Sequence, residues 1–184
     1  MTFIISDTSK NILSNIARIS LENFLKNGEI TKFNFNRKDI LNQRAVFVTL
    51  WEKDSCKLRG CIGNIKALFP LVEAVSKTVI SSATEDPRFV PLKKNELENI
   101  KIEINVLSPL KEISPDKIEI GKHGLHLIQG SCSGVFLPEV AASHEWDIKK
   151  YLDELSLKAG LNKGDWKNPG TLLLGFESES WSDN

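Results

Sequence analysis

The sequence contains no apolar run approaching the roughly 18 residues that a membrane-spanning helix needs. Its first residues, "MTFIISDTSKN", place no basic segment ahead of a short apolar stretch that stops at Asp7. Neither a membrane span nor a secretory leader is expected, so the expectation is a soluble cytoplasmic protein. There is no excess of either charge, since 24 Lys and Arg balance 24 Asp and Glu. A duplex-binding domain usually carries a basic surplus or stripe. Here the basic pairs Arg37-Lys38, Lys93-Lys94 and Lys149-Lys150 are scattered among acids, so broad nucleic-acid binding is not expected. Cysteine is scarce: Cys56, Cys61 and Cys132 are an odd number and suit free thiols in a reducing compartment. No glycine-rich loop runs from a strand into a helix, and there is no G-x-S-x-G elbow, which removes the nucleotide fingerprint and the serine-hydrolase signature. No segment repeats or is low in complexity.

What is present suits a globular protein. A chain of 184 residues with 41% apolar content can bury a core as one domain, with room for two lobes. Residues 8–27 read as an amphipathic helix with a stripe of Ile12, Leu13, Ile16, Ala17, Leu21, Phe24 and Leu25. Thr8 or Ser9 can cap it and Gly28 can end it. Residues 29–43 are polar loop. "RAVFVTLW", 44–51, reads as a strand, and "KLRGCIGNI", 57–65, as its hairpin partner. Residues 69–86 read as a helix that tolerates Pro70 in its first turn, and the two prolines of 86–92 impose an extended loop. "KIEINVLS", 101–108, alternates, with Ile102, Ile104 and Val106 on one face and Lys101, Glu103 and Asn105 on the other. Residues 121–140 read as two short strands around "GSCSG". Residues 143–160 read as a helix capped by Ser143 and ended by Gly160, and 171–178 as a closing strand. Hairpins outnumber regular crossovers in this order, which gives an α+β fold with a mostly antiparallel sheet and flanking helices.

The stretch "KLRGCIGNI" carries the chemistry. In a regular strand Arg59, Cys61 and Gly63 share a face, opposite Leu58, Gly60 and Ile62. A guanidinium beside a thiol stabilises the thiolate, and Gly63 leaves space for a ligand to reach the backbone. The competing reading is a buried thiol in a glycine-rich bend. Asp86 and Arg88 of "DPRF" sit on a proline-stiffened loop, either presenting charge to a ligand or forming a surface pair. No metal site is expected. Cys56 and Cys61 lack a second pair, and the odd spacing of His123 and His126 puts their rings on opposite faces of a strand.

Taken together, the motifs resemble the AMMECR-domain family. "LRGCIG" at 58–63 is the most specific; "DPRF" at 86–89, "HGL" at 123–125, "LPEVA" at 137–141, Trp146 and "KAGL" at 158–161 follow in the family's order over nearly the whole chain. The family more often has glutamine where this chain has Glu139, and cysteine is common where it has Ser156, which marks that position as packing. The resemblance implies a two-lobed α+β fold with a cleft between the lobes and "LRGCIG" near it. It also implies association with Memo-like and radical-SAM proteins, the AmmeMemoRadiSam grouping, and it implies no particular reaction. Two functions stay open. One is an enzyme acting on a small molecule or modifying another molecule, with Cys61 as nucleophile or acid–base thiol and Arg59 as its electrostatic partner. Gly60, Gly63, Asp86, Arg88, His123 and Glu139 would be its ligand-binding residues. The other is a non-catalytic ligand-binding or scaffold protein. The cofactor and the small-molecule partner are unknown from the sequence.

Overall fold

The structure is a computed structural model that describes residues 4–183. The chain divides into two compact units, Met1–Leu107 with Glu179–Asn184, and Ser108–Ser178. No helix among the described residues is long and apolar enough to cross a membrane.

The first unit begins with α1, Asp7–Asn27, which turns Leu13, Ile16, Ala17 and Leu21 inward. Its cap is Ser6, just ahead of the expected Thr8 or Ser9, because the Ser6 hydroxyl accepts the Ser9 N–H. Gly28 ends it in the left-handed region, φ 72°, where glycine carries no Cβ penalty. The expected loop of 29–43 contains one short helix, α2, Lys38–Leu41, which buries Ile40 completely.

Strands β1, Val46–Glu52, β2, Leu58–Asn64, β3, Ile100–Leu107, and β8, Ser178–Ser182, form a sheet ordered β2-β1-β3-β8. β1 pairs antiparallel with both β2 and β3. One face of the sheet presents Val46, Val48, Leu50, Ile102, Ile104 and Val106, all buried. Helix α3, Leu71–Thr84, packs on β1, β2 and α1, burying Val75 and Val79 completely. Each such side chain contributes roughly 1.5–3 kcal/mol of burial, so this layer stabilises the unit more than helix propensity does.

The second unit has a sheet ordered β4-β7-β5-β6, built from β4, Lys111–Glu112, β5, Gly124–Gln129, β6, Cys132–Phe136, and β7, Leu172–Phe176. Its core gathers Leu125, Leu127, Tyr151, Leu152 and Leu155. Two expected elements are revised here. "LPEVA" forms α4, Pro138–Ser143, with proline in the first turn, where no N–H is missed. The last long helix, α5, is Ile148–Lys158 and is capped by Asp147 rather than Ser143. The reason is Glu145, whose φ of 54° interrupts any continuous helix from 143. The expected closing strand, 171–178, is β7 of the second sheet; a further strand, β8, follows it from Ser178 and joins the first sheet.

Candidate functional site

β2 is an edge strand, so the outward N–H and C=O of Cys61 have no strand to meet. The loop after α3 supplies the partners. Asp86 Oδ2 accepts the Cys61 N–H at 2.8 Å, and Arg88 Nη2 donates to the Cys61 carbonyl at 3.4 Å. Arg88 also holds Asp86 through Nε–Oδ1 at 3.0 Å and Nη2–Oδ2 at 2.7 Å. The pair stands in for a neighbouring strand at this one residue. The Arg88 hydrogen bond, opposed by burial and helped by the Cys61 and Arg88 backbone N–H groups, holds the Asp86 carboxyl far below the usual carboxylate range. Hydrogen bonds to Asp86, opposed by burial and helped by the Cys61 group, hold Arg88 above its ordinary pKa.

The glycines of "LRGCIG" serve packing. A Cβ on Gly60 would sit 2.1 Å from the Ser82 carbonyl oxygen, so β2 approaches the α3 backbone at van der Waals range only because Gly60 has none. Just beyond, the Ser82 hydroxyl accepts the Ile62 N–H at 3.0 Å and donates to the Val48 carbonyl at 2.8 Å. The space expected over Gly63 is filled by the Phe47 ring, whose Cδ1 would lie 2.0 Å from a Cβ there.

Arg59 departs from the regular alternation. Leu50 pairs with Gly60 but Trp51 with Leu58, so Arg59 is the extra residue of a bulge. Its guanidinium goes to Glu96, Nε–Oε1 2.9 Å and Nη2–Oε2 3.3 Å, and to the Val90 carbonyl, Nη1–O 3.1 Å. Burial works against the Glu96 carboxylate, yet the Arg59 and Lys93 hydrogen bonds outweigh it and keep its pKa below the ordinary value. The cation that reaches Cys61 is therefore Arg88.

The side chain of Cys61 lies on the sheet face opposite α3. Thr49 pairs with Cys61 on one side and with Glu103 on the other, which aligns a thiol, a hydroxyl and a carboxylate across β2, β1 and β3. Directly paired Cβ atoms stand about 4.5–5.5 Å apart. The Thr49 hydroxyl donates to Cys61 Sγ at 3.3 Å, and the thiol is half-buried. Among the described residues Glu103 has no ion pair or side-chain hydrogen bond. In the next row Phe47 lies between Gly63 and Asn105. Asn105 is 7% exposed, and its Oδ1 is buried with no hydrogen-bond partner among the described residues. A buried orphan acceptor costs roughly 1–3 kcal/mol, a cost that a donor reaching it would offset.

The sequence profile of the AMMECR1 family matches residues 14–181. The chain belongs to the AMMECR1 family. Archaeal relatives agree over almost its whole length. The Methanopyrus kandleri protein MK0488 is 37% identical over 93% of this chain and 86% of its own. The Pyrococcus horikoshii protein PH0010 is 36% identical over 100% of this chain and 94% of its own. The crystal structure of uncharacterized protein PH0010 superposes with a TM-score of 0.86 at 35% identity, covering 99% of this chain and 95% of that one.

The remaining motifs of this AMMECR1-family chain lie in the second unit. His123 precedes β5; its Nδ1 accepts the Glu119 N–H at 3.0 Å, and its carbonyl accepts the Tyr151 hydroxyl at 3.2 Å. Glu139 is exposed in the first turn of α4. Ser156 is fully buried and donates to the Leu152 carbonyl, as packing requires. His126 and Ser133 share a hydrogen bond of 2.8 Å. All three cysteines are free thiols. Among the described residues no group of three or more His, Cys, Asp or Glu is placed to hold a metal ion. Sequence reasoning did not single out Thr49, Glu103 and Asn105, which the register adds to the candidate site. The available signal was the alternation that puts Glu103 and Asn105 on the polar side of β3.

Proposed function

We propose that this AMMECR1-family protein is a thiol-dependent enzyme that acts on a small molecule or modifies another molecule, with Cys61 as the nucleophile or acid–base group. The observation that carries the reading is the aligned row of Cys61, Thr49 and Glu103 on one sheet face. The backbone of Cys61 is fixed by Asp86 and Arg88, so the sulfur has a set direction. Thr49 O–H stabilises negative charge on that sulfur. Glu103 takes the thiol proton, passed through the Thr49 hydroxyl, as sulfur adds to a carbonyl carbon of the substrate and the C=O π pair moves to the oxygen. The proton then passes from Glu103 to that oxygen, which leaves a carbon–sulfur bond, a hydroxyl and the Glu103 carboxylate, and the same path in reverse frees the thiol. Between a free thiol and a free carboxylate this transfer is uphill by roughly 4 pK units, about 6 kcal/mol, so proton transfer and attack belong to one step. Asn105 receives a donor group of the substrate, and Arg88, whose side chain is 55% exposed, meets an anionic part of it. Arg59 acts as a positioning residue for the strand that carries the thiol.

A non-catalytic reading is favoured by one observation: both arginines of the motif region are committed to carboxylates of the fold. On that reading the same face holds a ligand or a partner segment, and Memo-like and radical-SAM proteins are the proposed partners.

Incubation of the native protein with a metabolite extract, followed by intact mass and peptide mapping, separates the two. The enzyme reading expects a mass increase on the Cys61 peptide that Cys61→Ser lacks. A ligand retained equally by wild type and Cys61→Ser, with no adduct, contradicts it.

A further inference from the structure

A pocket lies on the other side of β2. Its volume is ≈ 300 Å³, and it is formed by Arg44 and the start of β1, the end of β2, the connection to α3 and the stretch of α3 from Ala74 to Ser81. That volume is at the lower end of the range for small-molecule sites, roughly 300–1,000 Å³. We propose that it binds a small organic anion, a carboxylate or phosphate group carried on a compact apolar body.

The lining divides into two kinds of surface. Arg44, Lys66 and Lys77 supply positive charge, and no lining residue is acidic. Val46 and Ile62 form an apolar wall, with Leu68 and Phe69 also lining the pocket at 55% and 38% exposure. One carboxylate outside the lining, Glu73, meets Lys77 Nζ at 2.7 Å, but both side chains are 45% exposed, so water screens the pair and a ligand anion can replace it. Lys77 Nζ also sits 3.8 Å from the Phe69 ring centroid, which fixes cation and ring side by side. Among the described residues no carboxylate pairs with Lys66. An inorganic anion answers the charge but leaves Leu68 and Phe69 in water. A neutral apolar compound covers them but brings no counter-charge to Lys66. An anion with an apolar body satisfies both.

Ile62 alternates with Cys61, so the pocket and the thiol are on opposite faces of β2, and this site stands apart from the thiol chemistry proposed above.

The test is a titration of isotope-labelled full-length protein, read from backbone amide shifts of Ile62 and Leu68. The probes are hexanoate and phenyl phosphate, with hexanol, phenol and inorganic phosphate for comparison. Saturable shifts with at least one of the two organic anions are expected, at least tenfold tighter than with the neutral compounds or inorganic phosphate. The tighter of the two identifies the headgroup. Lys66→Glu with Lys77→Glu, both at exposed positions, should weaken that binding at least tenfold, while Cys61→Ala should bind like wild type. No saturation by either organic anion, equal affinity for neutral and charged probes, equal affinity for inorganic phosphate, or unchanged binding by the charge-reversed protein each overturns the proposal. Loss of binding in Cys61→Ala would overturn the separation of the two sites.

Discussion

Asp86 accepts the backbone N–H of Cys61 at 2.8 Å while its side chain is 2% exposed, so the "DPRF" loop and the "LRGCIG" strand are one structural unit. The buried carboxylate is satisfied by Arg88 and by two backbone N–H groups. Removing its charge should therefore affect stability as well as the thiol.

The first expectation follows from the sign of the Asp86 shift. Its folded-state pKa lies below the unfolded value, about 3.9, so its contribution is complete above about pH 5 and is lost progressively as pH falls below about 4 towards the depressed folded-state pKa. Asp86→Asn should lose on the order of 1–3 kcal/mol at pH 7 and show a smaller further loss than wild type between pH 5 and pH 2. Urea unfolding at several pH values measures both. Parallel acid limbs in the two proteins would contradict the assignment.

Arg59 should behave as a structural residue. It is 7% exposed and satisfies both Glu96 oxygens and the Val90 carbonyl. Arg59→Ala should cost roughly 1–3 kcal/mol by leaving these acceptors unmet. Arg59→Lys should recover only part of that, because an ammonium lacks the planar fork. Unchanged denaturation midpoints in both variants would show that the arginine is not a tie.

Asn105 should show the opposite balance. Asn105→Leu removes an orphan oxygen at similar volume, so the unliganded protein should be equally stable or more stable by about 1 kcal/mol. The same variant should lose any ligand-induced rise in Tm. A loss of stability above 1 kcal/mol, about the value of one ordinary hydrogen bond, would show that the oxygen is satisfied in the free protein.

The two glycines should differ in how they can be rescued. Gly60→Ala presses a methyl against a helix carbonyl that cannot move aside, and it should destabilise by about 3 kcal/mol or more. The three atoms nearest a Cβ on Gly63 all belong to the Phe47 ring, so combining Gly63→Ala with Phe47→Ala should restore much of the loss. Additive losses from Gly63→Ala and Phe47→Ala would contradict the close contact.

Much of the first unit was legible because its periods are clean. The stripe of α1, the alternation of β3 and the hairpin of β1 and β2 all follow from residue spacing. The second unit was read less well. A single left-handed residue, Glu145, separates α4 from α5, and nothing in residue type announces it. The return of the chain to the first sheet in β8, directly after β7 of the second, depends on long-range pairing that no local window contains. The same limit applies to the site. Strand alternation already placed Glu103 and Asn105 on the polar side of β3, but only the register brings Glu103 into line with Thr49 and Cys61. The bulge at Arg59 was equally hidden, and it turned the expected partner of Cys61 towards Glu96.

The central claim is that Cys61 is a working thiol held by Thr49 and served by Glu103. Its most direct test is the rate of iodoacetamide modification of Cys61 in the native protein at pH 7.5, by peptide mass spectrometry, with exposed Cys56 as internal reference. The account predicts that Cys61 reacts in the folded protein and that Thr49→Val slows it roughly 5- to 30-fold. That range corresponds to about 1–2 kcal/mol for one hydrogen bond to a charged sulfur. Glu103→Gln should also slow this rate, because the same carboxylate takes the thiol proton as sulfur attacks, and should abolish adduct formation with the substrate. A Cys61 that stays unmodified while Cys56 reacts, or that reacts equally fast in wild type and Thr49→Val, would contradict the account.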